Sequence, residues 1–179
     1  MMEDTVQMDY PYSSITIRLA VPTDAYDMSE VHIRSWEVAY KDIIPVEYIL
    51  EKNATRLALW ERILGDVNTT QFIIKKDGKT AGMMGIGVSR DEDAGDKVYE
   101  LMGLYLFPEY FHQGIGTYAM EFAFDKAWGL GKKIMTVWLL EDNINAKRFY
   151  EKCGFTVDGK TAVRNFGKPL TSIRMRRDL

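Results

Sequence analysis

Two stretches of this chain hold residue types at spacings that chemistry can use. The first is Glu100 to Thr117, ELMGLYLFPEYFHQGIGT, in which an apolar strand passes through a short loop into a helix start marked by Gly114 and Gly116. The first N–H groups of a helix have no partner inside it and sit at the positive end of its dipole, so a phosphate docked there accepts several hydrogen bonds. Glycine lets the backbone approach such a ligand closely. The same glycine pattern also opens ordinary helices, and taken alone it leaves both readings open. The second stretch is Trp138 to Phe155, WLLEDNINAKRFYEKCGF, with Asn143, Ala146, Tyr150 and Gly154-Phe155 at fixed intervals.

Other chemistries are harder to build. His32 and His112 are the only histidines and Cys153 is the only cysteine, with no ligand spacing among them, so neither a zinc site nor an internal disulfide is expected. Cys153 reads as a small buried apolar residue in a reducing compartment. Any catalysis must then do without a metal and without a cysteine nucleophile.

The elements that must position these residues follow from periodicity. Ile15 to Ala20 alternates as a half-buried strand, Pro22-Thr23-Asp24 signals a helix start, and Ala25, Met28, Val31 and His32 recur at helical spacing. Glu37 to Leu50 is interrupted at Pro45 and reads as two short helical pieces, followed by a helix through Leu57, Trp60 and Ile63 that stops at Gly65. Phe72 to Ile74 and Ala81 to Val88 form two antiparallel strands about an Asp77-Gly78 turn, and a polar loop, Ser89 to Lys97, leads to a strand from Val98 to Phe107. A helix from about Gly114 to Leu130, a strand from Ile134 to Leu140 and a helix from Asn145 to Lys152 come next. Two strands finish the chain, near Phe155 to Val157 and Thr171 to Met175. Interspersed strands and helices predict one α/β domain over residues 15–179, a mixed and mostly antiparallel sheet flanked by helices, behind a flexible leader over residues 1–14.

Bulk properties agree. A chain of 179 residues can bury roughly 70% of its unfolded surface. With 46% hydrophobic and 27% charged residues and no long apolar run, it reads as a soluble cytoplasmic protein without a membrane partner. Its N-terminus lacks the basic start and apolar run of a secretion signal. A formal net charge of −3 speaks against nucleic acid and suits a cationic partner.

Taken together, the strand–PEYxxxGIG–helix element and the following N-x-x-A-x-x-x-Y-x-x-x-G-F element resemble the acetyl-coenzyme A signatures of the GCN5-related N-acetyltransferase superfamily, and the likeness runs from Ile15 to the C-terminus. The resemblance implies that the strand through Leu104, Tyr105 and Leu106 pairs its backbone with the pantetheine arm of acetyl-CoA. It implies that the amides of His112, Gln113, Gly114, Ile115, Gly116 and Thr117 hold the pyrophosphate, and that Asn143 and Ala146 contact the cofactor. Tyr150 falls on the family's general-acid position. A phenol there suits the chemistry, because attack of an amine on a thioester expels a thiolate that needs a proton or a hydrogen bond. Glu100 stands where many relatives place a carboxylate that accepts the amine proton or fixes a substrate cation. Phe111 departs from the family pattern, which has Gln or Arg there.

In the N-terminal half, Ser35-Trp36-Glu37 with Tyr40, then Pro45 and Tyr48, is similar to a subgroup acting on small amines, and the whole layout resembles the PaiA-type spermidine/spermine acetyltransferases. That resemblance implies a polyamine acceptor, with Trp36, Glu37 and Tyr40 binding it and Asp42, Glu47 and Glu100 adding charge, in a monomer or homodimer. Two alternatives stay open: an enzyme for protein N-termini or lysines, and a non-catalytic acyl-CoA-binding regulatory module.

Overall fold

The computed structural model describes residues 6–10, 13–66 and 70–179. Eight strands form one sheet: β1 (Val6–Tyr10), β2 (Ser13–Leu19), β3 (Gln71–Lys76), β4 (Lys79–Val88), β5 (Val98–Leu106), β6 (Ile134–Leu140), β7 (Thr156–Asn165) and β8 (Pro169–Asp178). Their order across the sheet is β1-β2-β3-β4-β5-β6-β8-β7. Every neighbouring pair is antiparallel except β5 and β6. A parallel pair needs a crossover, and helix α4 (Ile115–Gly129) supplies it. The remaining helices are α1 (Ala25–Ala39), α2 (Val46–Asn53), α3 (Arg56–Leu64) and α5 (Ile144–Lys152).

Helices cover both faces, which is why β4 is buried along nearly its whole length. Alternation divides its neighbours: Phe72, Ile74 and Met84 pack with α4 through Ala119, Met120 and Ala123, whereas Ile73 and Met83 pack with Met28, Val31, Trp60 and Leu64 of α1 and α3. A third cluster, Trp36, Ile44, Ile49, Leu140 and Leu170 with Tyr40, Tyr48, Tyr105 and Phe166 against it, joins α1 and α2 to the β7–β8 hairpin. Among the described residues no helix is long and apolar enough to cross a membrane.

One irregularity opens the sheet. β5 pairs with β6 only through Val98–Leu101 against Ile134–Val137. On its other edge Gly85 faces Gly103 and Ile86 faces Leu101, so Met102 is an extra residue in β5. Such a bulge bends its strand. Beyond it β5 follows β4 to Leu106 while β6 follows β8 to Leu140, and among the described residues no strand lies beside the β6-facing edge of β5 from Met102 onward.

The expected elements form, with three differences; the first is that the earlier of the two helical pieces expected over Glu37 to Leu50 is the end of α1, which runs to Ala39. Residues 1–5 and 11–12 of the expected leader lie outside the described residues, but Val6–Tyr10 is an edge strand paired with β2. The last two strands are ten residues each, far longer than the short runs expected. β7 is exposed along almost all its length and carries a register shift between Val157 and Thr161, so it lacks the apolar alternation that marks a strand.

Candidate active site

At the end of β5, Pro108 stops the strand and a single 3-10 turn, Pro108–Tyr110, leads to Phe111 in extended conformation. His112 and Gly114 then take positive φ values of 59° and 78°, turning the chain into α4. The first intrahelical bond of α4 is from Tyr118 N–H to the Gly114 carbonyl at 3.0 Å, so the amides of Ile115, Gly116 and Thr117 precede it at the positive end of the helix. A Cβ on Gly116 would lie 3.2 Å from the Phe149 ring and 3.9 Å from Leu106, so glycine there lets the first turn of α4 approach α5 and the end of β5.

Gln113 fixes this loop with its side chain: Oε1 accepts from Lys76 Nζ at 2.6 Å and Nε2 donates to the Glu109 carbonyl at 2.6 Å. Arg34 adds a two-pronged pair to Glu109, both contacts at 3.0 Å. Lys76 and Arg34 thus bring cations to the loop from β3 and α1. Nothing in the sequence marked them, because both lie dozens of residues from the glycine motif.

Across the opening, Asn143 Oδ1 accepts from the Ala146 N–H at 3.1 Å and caps α5. The side chain of Asn143 also meets the Tyr40 hydroxyl, which in turn meets the Tyr105 hydroxyl. One α-helical turn beyond Ala146, Tyr150 is buried with its ring against Phe149 and Phe155, the centroids 5.2 and 5.7 Å away. Burial pushes its phenol well above its usual pKa, and the Tyr105 phenol and Cys153 thiol add to the effect, so Tyr150 keeps its proton. Cys153 is itself buried, with its thiol pushed up by desolvation.

Tyr105 also lines a cavity of about 140 Å³ between α1, β5, β6 and the β7–β8 hairpin. Trp36, Tyr40 and Glu100 line it together with Arg90, Trp138, Arg164 and Phe166. Glu37 does not: it is exposed and accepts from Asn53 Nδ2 at 3.2 Å. Asp42 and Glu47 are exposed and also absent from the lining. Glu100 is 2% exposed, and each of its oxygens is engaged by Arg90: Oε1 by Nη2 at 2.5 Å and Oε2 by the backbone N–H at 3.0 Å. A larger cavity of about 520 Å³ lies elsewhere, along α4 beyond its first turn, between Leu19, Phe72, Tyr99, Phe122 and Leu130.

Arg56 is the group sequence reasoning missed most completely. It is 7% exposed, its guanidinium lies 4.2 Å from the Trp36 ring, and its Nε and Nη2 meet no hydrogen-bond partner. Desolvation by burial pulls its pKa down, and the titratable side chains around it are the phenols of Tyr105, Tyr48 and Tyr40.

His32 stacks on Tyr105 at 4.8 Å, and its Nδ1 accepts from Trp60 Nε1 at 3.2 Å. The neutral ring therefore carries its proton on Nε2, a buried atom without a partner. Burial, reinforced by Arg56, lowers its pKa from 6.5 to about 3. A depressed folded pKa means stability that is complete above the unfolded value and is lost as pH falls toward the folded one. Between pH 6.5 and 5, above the carboxylate range, the urea unfolding free energy should fall by up to about 1.4 kcal/mol per pH unit. His32→Gln should flatten that slope, and an unchanged slope would show that another group carries it.

A bulged strand parting from its parallel neighbour, a glycine-opened helix and a buried tyrosine are the features on which comparison with known proteins bears. The acetyltransferase (GNAT) family pattern matches residues 28–155, and the chain belongs to that family as an N-acetyltransferase. Among curated relatives, N-acetyltransferase YuaI of Bacillus subtilis is 30% identical over 131 residues, 72% of this chain and 73% of YuaI. Peptidyl-lysine N-acetyltransferase YjaB of Salmonella typhimurium is 39% identical over 66 residues, 37% of this chain and 42% of YjaB. Among solved structures, PaiA N-acetyltransferase of Thermoplasma acidophilum in complex with coenzyme A superposes with a TM-score of 0.70 at 23% identity, covering 93% of this chain and 99% of that one. That similarity is one of fold.

Proposed function

We propose that this protein moves the acetyl group of acetyl-CoA directly to a primary amine in a ternary complex. The observation that carries the reading is the convergence, around the β5–β6 gap, of the α4 amide start, the protonated Tyr150 and a separate small cavity that can take an acceptor. The pyrophosphate would lie on the amides from His112 to Thr117 with Lys76 beside them, and the pantetheine arm along the free edge of β5 at Leu104, Tyr105 and Leu106. Two features suit this cosubstrate: β5 is unpaired on its β6 edge beyond Leu101, and Gly114 holds a left-handed turn.

The acceptor nitrogen forms a bond to the acetyl carbon, the carbon–sulfur bond breaks, and Tyr150 donates a hydrogen bond or its proton to the departing sulfur. The amine proton leaves toward Glu100 and water at the cavity mouth. Asn143 acts here through structure, capping α5 and holding Tyr40, with Ala146 supplying the capped N–H. Glu100 holds the Arg90 segment and lends the cavity one carboxylate with lone pairs to spare.

The polyamine acceptor implied by the resemblance gains little from this geometry. Of Glu37, Asp42, Glu47 and Glu100, only Glu100 reaches the cavity, and Arg90 already neutralises it. The test of the transfer reading is labelled acetyl-CoA offered with a panel of amines, including spermidine, amino acids and a lysine peptide. Label recovered on an amine supports it, and label released only as acetate would contradict it.

A further inference from the structure

The charged side chains that line the acceptor cavity include more cations than carboxylates. Its lining holds two guanidinium groups, Arg90 and Arg164, and one carboxylate, Glu100. Arg90 and Glu100 cancel each other at 2.5 Å. Arg164 is exposed, lies 5.2 Å from the Trp138 ring and has no ion pair among the described residues. Behind the Trp36 wall sits Arg56, buried, with two nitrogens unsatisfied and no carboxylate near. A buried charge is costly unless paired, and a guanidinium matches a carboxylate in geometry as well as charge. Arg174 differs from both: Asp91, Asp93 and Asp158 already hold it at 2.9, 2.9 and 2.7 Å.

Building on the transfer reading, we propose that the acceptor is a small amine that also carries a carboxylate, its ammonium end toward Glu100 and its carboxylate drawn to Arg164 and Arg56. The cavity of about 140 Å³ suits an acceptor of amino-acid size. The buried charge of Arg56 acts through low-dielectric surroundings and so reaches farther than an exposed one. Selectivity comes from this field: a polycation is repelled where a zwitterion is aligned.

The test compares matched acceptors with and without the carboxylate, γ-aminobutyrate against butylamine and lysine against cadaverine, at saturating acetyl-CoA, with spermidine and a tripeptide alongside. For the wild-type protein kcat/KM should favour the acid of each pair by about 10- to 100-fold, the range of one charge-assisted hydrogen bond. Arg164→Gln and Arg56→Gln should each lower that ratio by about tenfold or more, with the larger loss on the acid of each pair, and Arg56→Lys should restore part of it. If Arg56→Gln does not fold, the exposed Arg164→Gln still decides the matter. A wild-type ratio of one or less, a ratio that survives both substitutions, or spermidine outrunning every acid would overturn the proposal and leave acetyl transfer standing. No label on any amine would overturn both.

Discussion

Tyr150→Phe is expected to lower turnover by about 10²- to 10⁴-fold, the usual contribution of a positioned acid. Phenylalanine keeps the ring between Phe149 and Phe155, so packing is preserved and only the hydroxyl is lost. That hydroxyl is needed chiefly as the sulfur gains charge, so the loss should fall on kcat while calorimetric affinity for acetyl-CoA changes little. Because burial already holds the phenol protonated, wild-type activity should show no loss attributable to Tyr150 as pH rises to 9. Wild-type turnover in the variant, measured under single-turnover conditions, would reduce Tyr150 to a core residue.

Gly114→Val should produce the second large effect, on binding rather than chemistry. Gly114 has φ of 78°, a conformation that costs an L-residue roughly 1–2 kcal/mol and a β-branched one more. A Cβ there meets nothing within 4 Å, so the strain is relieved by rotating the loop rather than by unfolding the domain. Rotation turns the amides that would meet the pyrophosphate, and losing one or two charge-assisted bonds at about 1.5–3 kcal/mol each weakens acetyl-CoA affinity by about 10²-fold or more. Unchanged affinity in a variant with a native circular dichroism spectrum would place the pyrophosphate elsewhere.

Much of this architecture was legible in the sequence because local signals carry it. Pro45 separates α1 from α2, Gly65 ends α3, and the Asp77-Gly78 turn sets the β3–β4 hairpin. The glycine-marked start at Gly114 opens α4 as expected, and α5 begins at Ile144, one residue before the expected Asn145, with Asn143 as its cap. β7 was foreshortened because neither of its faces is buried enough to impose alternation.

The acceptor side was much less legible, since it is assembled from distant segments. The resemblance to polyamine enzymes implied that Glu37 binds substrate beside Trp36; consecutive helix residues lie about 100° apart, so Trp36 turns inward while Glu37 points to Asn53. Glu100 lines the cavity, but its partner Arg90 comes from a polar loop that carried no motif. Arg56 gave no signal, because an arginine in the first turn of an amphipathic helix ordinarily faces water. Its burial is a product of the packing of α3 beneath Trp36.

The central claim is direct transfer from acetyl-CoA to an amine while both are bound, and its most direct test is the two-substrate initial-velocity pattern in the labelled assay. With an accepted amine and acetyl-CoA each varied at several fixed levels of the other, the double-reciprocal lines should intersect, and the protein incubated with acetyl-CoA alone should keep its unmodified mass. Parallel lines together with an acetylated protein would contradict the account, because they would require a covalent acetyl-enzyme in place of direct transfer.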